Sequence, residues 1–183
     1  MTDPAKDRDA FAISLLEESK RFLEKAKASD SAGREAFLHA AILLAFCSLE
    51  AHINSMAEDF ACFMTLTPHE LGLLREREVK LDNGRFEVTE SLRMVRLEDK
   101  IRFICDRFAQ KKVDFTAPWW SRLGDASKLR NELTHPKEYV PLEINAVSSA
   151  IESIIATLDA VYTAVYNRRF PAAGLQLDSE LTF

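Results

Sequence analysis

The sequence predicts an all-α fold, an up-and-down helical bundle of about four to six helices that carries a small β-hairpin insertion. Apolar residues recur at steps of three and four over most of the 183 residues, and 47% of the chain is hydrophobic. An Asn-Gly pair between two alternating stretches predicts the hairpin. The length fits one domain, which we place at residues 1–169, followed by a C-terminal tail at residues 170–183.

The first helix has a clear start signal. Asp3 supplies a cap and Pro4 a first-turn proline, and the following apolar stripe predicts a helix that runs to about residue 28. The residues expected on its buried side are Phe11, Leu15, Phe22 and Ala26.

A long second helix follows a polar break. Apolar residues at helical spacing run over positions 38–63 and predict the spine of the core. Within positions 36–49 only His39 and Ser48 are polar, so we expect other helices to enclose this half on nearly all sides.

A short helix and the hairpin come next. Residues 67–70, Thr-Pro-His-Glu, form a capping box with proline at the first helical position, which predicts a helix to about Arg77. Asn83 and Gly84 suit a tight primed turn between strands over residues 79–88. The expected cross-strand pairs are Val79 with Val88, Lys80 with Glu87 and Leu81 with Phe86.

Three further helices are predicted. Thr89 caps one that ends near Lys112, and Pro118 opens one that Pro136 stops. The last follows Pro141 and carries apolar residues at seven-residue intervals. The expected buried side of the middle helix is Trp119, Leu123, Ala126 and Leu133, and Arg168 and Arg169 close the last helix.

Charge and composition exclude several functional classes. The 29 acidic and 24 basic residues give a net charge of −5, which argues against general coating of nucleic acid and leaves room for a focused site. Neither a glycine-rich phosphate loop nor the residue spacing of a metal site is present, so no metal and no cofactor is expected. The three cysteines, Cys47, Cys62 and Cys105, are expected to be reduced core residues.

The chain carries neither a signal-peptide pattern nor a long apolar run. Its N-terminus is charged, and its longest unbroken apolar run, residues 40–47, is far shorter than the ~20 residues that cross a bilayer. We therefore expect a cytoplasmic protein without a membrane partner.

Residues 130–135, Arg-Asn-Glu-Leu-Thr-His, are the part of the sequence that best indicates a catalytic site. Pro136 pushes His135 out of the helical region, whereas Arg130 stays in the last turn. On an uninterrupted helix the two side chains would lie roughly 140° apart, so the break is what lets His135 turn back toward Arg130. An imidazole and a guanidinium together suit cleavage of a phosphodiester without a metal, with Asn131 as an orienting group.

The same two residues have a simpler interpretation. Arg and His often lie at helix C-termini only because their charge complements the helix dipole. Spacing alone does not separate this interpretation from a catalytic one.

The run Leu-Arg-Asn-Glu-Leu-Thr-His-Pro at residues 129–136 resembles the Arg-x4-6-His motif of the HEPN domains (higher eukaryotes and prokaryotes nucleotide-binding). The likeness spans roughly residues 36–167 and implies an all-helical domain that forms a homodimer with the two motifs meeting at its axis. Many HEPN proteins are metal-independent ribonucleases that act as toxins or in phage defence, and others are non-catalytic binding modules. The resemblance implies Arg130, Asn131 and His135 as catalytic residues.

Further polar residues are candidates for supporting roles. Glu50 and Asn54, one turn apart on the second helix, are expected to form a polar shell behind the motif, with solvent exposure as the alternative. Arg93, Arg96 and Lys100 follow helical spacing and could track an RNA backbone, although interspersed acidic residues also fit an ordinary surface stripe.

Two functions follow. The first is a homodimeric HEPN-type endoribonuclease with RNA as substrate and, for a toxin, an antitoxin protein encoded nearby as partner. The second is a non-catalytic HEPN-like module that binds a protein partner or a nucleotide.

Overall fold

The computed structural model describes residues 4–63, 65–174 and 176–183. This part of the chain forms six helices and one two-stranded antiparallel hairpin, which confirms the predicted fold class. The elements in chain order are α1 (Pro4–Ala28), α2 (Ser31–Ala61), α3 (Pro68–Arg75), β1 (Arg77–Asp82), β2 (Arg85–Leu92), α4 (Leu97–Phe108), α5 (Pro118–Thr134) and α6 (Ile144–Tyr166).

Helix α1 packs along α2. The two approach closely because buried serines bond across the contact: Ser19 donates to the carbonyl of Ala41 and Ser48 to that of Ala12, both at 2.7 Å. The predicted buried side of α1 is wrong by one position at three of its four residues: Phe11 is 62% exposed, and Leu15 and Phe22 are only half-buried. The buried apolar residues of α1 are Ala12, Leu16, Leu23 and Ala26. The predicted cap Asp3 lies outside the described residues.

Helix α2 is the central helix of the core, as predicted, and it contacts every other helix. Asp30 caps it by accepting a hydrogen bond from the Gly33 amide at 3.2 Å. One side stays uncovered, however, because Leu43 and Cys47 are exposed. The expectation that other helices enclose this half on nearly all sides is therefore wrong for that side.

The hairpin rests on α3. The predicted capping box forms at Thr67 and Glu70, and the predicted register is confirmed around Asn83 and Gly84, both of which have positive φ. Gly72 of α3 is where the two elements meet, since a Cβ there would lie 2.5 Å from Val79.

Two predicted helix boundaries are wrong. Strand β2 continues to Leu92, so the helix expected from Thr89 begins only at Leu97, and it ends at Phe108 instead of near Lys112. Residues 89–92 continue as a strand and not as a helix because they pair with the first residues of β1.

In α5, Trp120 and not Trp119 packs on the core, and the Arg102 guanidinium lies 4.6 Å from the Trp120 ring centre.

Helix α6 packs on α2 and α5, and its predicted heptad positions are buried except for Ile144, which is half-buried. The helix ends at Tyr166, before Arg168 and Arg169. The segment predicted as a tail packs on the domain. Phe170 is 1% exposed, and the amide of Ser179 donates to Glu24 of α1 at 2.9 Å. Burial of the Phe170 ring joins this segment to the core.

Two helical stretches, Gly33–Ala61 within α2 and Ile144–Tyr166, are long and apolar enough to cross a membrane. Half of the most apolar window in each is buried inside the protein. Core helices of soluble proteins have the same length and composition, so these two stretches are weak evidence for a membrane.

Candidate functional site

Helix α5 ends at the predicted place. Thr134 is its last residue, and His135 leaves the helix with φ −129° and ψ 58°, directly before Pro136. The His135 amide still donates to the carbonyl of Asn131 at 2.9 Å, and the Thr134 hydroxyl donates to that of Arg130 at 3.0 Å. The end of the motif is thus a well-bonded helix terminus.

The Arg130 side chain is held against α2. Its guanidinium carbon lies 4.9 Å from the centre of the Phe46 ring, and its Nη2 lies 3.6 Å from Oε1 of Glu50. The side chain is 26% exposed, and its Nε is buried without a hydrogen-bond partner among the described residues. An aromatic face and a carboxylate therefore fix the arginine while leaving part of the guanidinium open to solvent.

A polar cleft of about 600 Å³ opens beside this arginine. It lies between the C-terminal half of α5, the middle of α2 and the start of α4. The structure brings together here six of the eight residues singled out from the sequence: Glu50, Asn54, Arg96, Lys100, Arg130 and Asn131.

His135 lies in an adjoining cleft of about 430 Å³. Asn131 lines both clefts and connects them. Within residues 4–63, 65–174 and 176–183, the His135 ring makes no hydrogen bond to Arg130, whose ion pair is with Glu50. The helix break therefore frees the imidazole, which is exposed, but does not bond it to the guanidinium of its own chain.

Glu50 and Asn54 line the cleft beside Arg130, and their role as a polar shell behind the motif stays a prediction. Both are exposed on one face of α2, where Glu50 pairs with Arg130 and the Asn54 amide oxygen accepts from Lys100 at 2.7 Å. Both side chains are exposed, as the alternative expected, but each also has a specific partner.

The sequence prediction that Lys100 contacts RNA is wrong. Its side chain is 3% exposed and bonds to Asn54, with Oε1 of Glu76 at 3.6 Å, so it is not an open RNA contact. Burial lowers the pKa of Lys100, and the negative charge of Glu76 opposes that shift. Helix α4 has 12 residues, about three turns. Lys100 lies on its buried side together with Ile101, Ile104 and Cys105.

Arg93 and Arg96 are exposed, but they do not form a stripe on one helix. Both lie in the connection between β2 and α4, with Arg96 at the N-cap position of α4. Arg93 lines a second groove of about 430 Å³ next to the hairpin, and Arg96 lines both this groove and the cleft beside Arg130. Their contact with RNA stays a prediction.

Three residues at the site were missed by sequence reasoning. Phe46 and Cys47 lie on α2 just before Glu50, and Glu76 follows α3 in a left-handed conformation with φ 53°. Cys47 is exposed and not a core residue as expected. Partial burial and the charge of Glu50 raise the pKa of its thiol, while Arg130 opposes them. The four-residue step from Phe46 to Glu50 was the available signal, because such residues share a helix face.

Of the described residues, no three His, Cys, Asp or Glu side chains come together in a way that could hold a metal ion. The chain matches no protein-family model, no curated protein and no solved structure. Its function is therefore argued from the site itself.

Proposed function

We propose that this protein is a metal-independent endoribonuclease of the HEPN type, with an active site assembled across a homodimer in the cytoplasm. The observation that carries the proposal is the fixed guanidinium of Arg130, held by Phe46 and Glu50 beside the exposed Asn131 and His135. A preorganised cation next to a free imidazole is the combination that metal-free phosphodiester cleavage requires.

The reaction uses the ribose hydroxyl next to the scissile phosphate. The 2′ oxygen bonds to phosphorus and the bond from phosphorus to the 5′ oxygen breaks, which leaves a cyclic phosphate and a 5′ hydroxyl. His135 transfers the proton from the 2′ oxygen to the departing 5′ oxygen. Arg130 stabilises the charge that develops on the phosphoryl oxygens, and Asn131 orients the phosphate or the imidazole.

A second copy of the chain supplies what one chain lacks. Arg130 and His135 line adjoining clefts and are not bonded to each other. The uncovered face of α2 borders Arg130 and presents Leu43, with Cys47 one turn later. An apolar patch of this kind beside an incomplete polar site suits a two-fold contact between identical chains.

The test is incubation of the purified protein with single-stranded RNA and a chelator. We expect cleavage that Arg130→Ala and His135→Ala abolish and that Arg122→Ala, an exposed arginine on the same helix, retains. Equal activity of wild type and both motif variants would contradict the proposal.

Mixing the two inactive variants tests the composite site. A dimer of one Arg130→Ala and one His135→Ala chain keeps one intact arginine and one intact histidine on opposite chains. We expect partial recovery of cleavage after subunit exchange. No recovery, with exchange verified by mass spectrometry, would show that each chain works alone.

Expression of the wild type and of the inactive His135→Ala variant tests the toxin interpretation. Expression in a bacterial host is expected to arrest growth with the wild type and not with His135→Ala. A gene for an antitoxin protein next to that of this chain would then be expected to relieve the arrest.

One observation favours the non-catalytic alternative, a module that binds a protein or a nucleotide. Arg130 is already paired with Glu50, and Lys100 with Glu76, so the cleft neutralises much of its own charge. Absence of RNA cleavage together with saturable binding of a nucleotide that Arg130→Ala abolishes would support this function in place of the enzyme.

A further inference from the structure

A second groove adjoins the cleft beside Arg130. It measures about 430 Å³ and lies between α3, strand β1 and the segment that joins β2 to α4. We call it the hairpin groove; its lining includes His69, Arg77, Val79, Arg93, Met94 and Arg96. Residues 94–96 and Asp99 line both the hairpin groove and the cleft beside Arg130, so the two form one continuous path for an extended ligand.

The balance of charge differs between the hairpin groove and the clefts that hold the motif. In the cleft beside Arg130 four carboxylates face three cations, and in the cleft of His135 two carboxylates face one lysine. The hairpin groove has three arginines and one carboxylate, Asp99. A phosphate chain binds where fixed cations outnumber carboxylates, so the hairpin groove suits the phosphates next to the scissile one better than the motif clefts do.

Two of the three arginines are open to a ligand. Arg93 and Arg96 are exposed, and neither forms an ion pair among the described residues. Their backbone is fixed, because the Arg93 amide donates to the carbonyl of Glu76 at 2.9 Å and the carbonyl of Arg96 accepts from the Lys100 amide at 3.0 Å. The Arg77 guanidinium, in contrast, donates to the carbonyl of Glu90 within the hairpin.

Exposed apolar and aromatic side chains lie beside these arginines. Met94 is 82% exposed on the segment shared by the hairpin groove and the cleft beside Arg130. The exposed His69 ring meets the ring of Phe86 edge-on, with 4.6 Å between the ring centres, and Phe86 is 52% exposed. Proteins hold unpaired bases on such rings and hold the backbone with neighbouring cations. Because a duplex keeps its bases stacked inside, this combination favours a single strand.

We propose that the hairpin groove binds one unpaired nucleotide of the RNA whose scissile phosphate lies at Arg130. The base stacks on His69, which Phe86 supports, and Arg93 and Arg96 bind the adjoining phosphates. This inference rests on the proposed ribonuclease function and specifies its substrate as single-stranded RNA that extends beyond the scissile dinucleotide.

Binding to full-length His135→Ala, which is expected to leave RNA uncleaved, tests the site. Fluorescence anisotropy compares an oligouridylate of about ten nucleotides with an abasic ribose-phosphate strand of the same length. Arg93→Ala should weaken binding of both strands about threefold to tenfold and lower the slope of log Kd against log salt by about 0.7, because one phosphate contact is lost. His69→Ala should weaken only the oligouridylate, about fivefold, because the abasic strand has no base to stack.

Exposed residues outside the hairpin groove supply the matched controls. Arg122→Ala on α5 and Phe11→Ala on α1 should leave both Kd values unchanged. Unchanged binding in Arg93→Ala, equal losses for the two strands in His69→Ala, or no RNA binding at all would overturn the inference. The exposed Met94 and Phe86 would then fit a protein partner instead.

Cleavage by otherwise wild-type protein separates this inference from the proposed function. Arg93→Ala and His69→Ala should raise KM for the oligouridylate and leave KM for a dinucleotide unchanged, since the dinucleotide does not reach the hairpin groove. If wild type cleaves no RNA but the groove variants still lose binding, the proposed function fails and the nucleotide site stands. If wild type cleaves and the groove variants bind RNA as the controls do, the function stands and the nucleotide site fails.

Discussion

The guanidinium carbon of Arg130 lies 4.9 Å from the centre of the Phe46 ring, so a core aromatic of α2 supports the arginine of α5. Phe46 is 3% exposed, and its ring face therefore serves the core and the site together. This contact explains why the arginine can stay fixed although its only ion pair, among the described residues, is 3.6 Å long. Planar guanidinium groups stack on aromatic faces in a way that lysine cannot reproduce.

Replacement of Phe46 by leucine tests this support. Loss of the ring face is expected to raise KM for RNA about two- to fivefold, the size of a partly exposed cation–π contact. The free energy of unfolding should fall by about 1 kcal/mol. Phe37→Leu is the matched control, since Phe37 stacks on Phe22 at the other end of α2. If both variants change KM equally, the ring does not support Arg130.

Cys47 reports the charges around Arg130. Burial raises the pKa of this thiol, Glu50 raises it further and Arg130 lowers it. In a Cys62→Ser background, alkylation of Cys47 by iodoacetamide at pH 8 should be faster in Glu50→Gln and slower in Arg130→Gln, because the thiolate fraction follows the pKa. Cys105 should not react, since burial raises its pKa to about 12.

The control for this measurement is Glu152→Gln, an exposed carboxylate on α6 that does not act on Cys47. Its alkylation rate should equal that of the background protein. A slower reaction in Glu50→Gln would contradict the described placement of Glu50 beside Cys47.

Gly72 and Gly124 form a matched pair for the hairpin contact. A Cβ at Gly72 would lie 2.5 Å from Val79 and 2.9 Å from the carbonyl of Arg77, whereas one at Gly124 meets nothing within 4 Å. Gly72→Ala is expected to lower the free energy of unfolding by about 1–3 kcal/mol through overpacking. Gly124→Ala should raise it by about 0.5–1 kcal/mol, as alanine favours a helix. Chemical denaturation measures both, and equal effects would refute the close contact.

His52 makes stability depend on pH. Its Nδ1 lies 3.1 Å from the hydroxyl of Tyr162, the residue is 1% exposed, and burial lowers its pKa to about 4 from an ordinary value of 6.5. Between pH 6.5 and pH 4, His52 is therefore protonated in the unfolded chain but stays neutral in the folded protein. The free energy of unfolding is therefore unaffected by His52 above pH 6.5. It falls by about 3 kcal/mol as the pH drops toward 4.

The comparison that isolates this effect is the change in unfolding free energy between pH 7 and pH 4.5. We expect a smaller loss in His52→Gln than in wild type, and an unchanged loss in His39→Gln, where the ring is 37% exposed. The same loss in wild type and His52→Gln would assign the acid sensitivity to other groups.

Local signals predicted the hairpin and the short helix correctly. The Asn83-Gly84 turn sets the register of β1 and β2, and the capping box at Thr67 and Glu70 begins α3. Both are local motifs whose hydrogen bonds join residues a few positions apart, so no distant contact is needed to predict them.

Predictions that depended on distant contacts were weaker. Helical spacing from Thr89 onward suggested a helix, but pairing with β1 extends β2 to Leu92. Lys100 was expected in solvent as part of a basic stripe, and only the meeting of α2, α4 and the end of α3 shows that it is buried. A lysine looks the same in sequence whether its partners lie in water or across the core.

The sequence by itself determined the helical periodicity, the hairpin register and the break at Pro136 that ends α5 before His135, because each follows from backbone sterics and neighbouring residues. Only the tertiary structure decided which charges share a cleft. Arg130, Glu50, Lys100 and Glu76 come from four separate parts of the chain. Packing of the helices around α2 brings them to one cleft as two ion pairs, Arg130 with Glu50 and Lys100 with Glu76. Electrostatic partners are chosen by proximity in space, which local sequence does not encode.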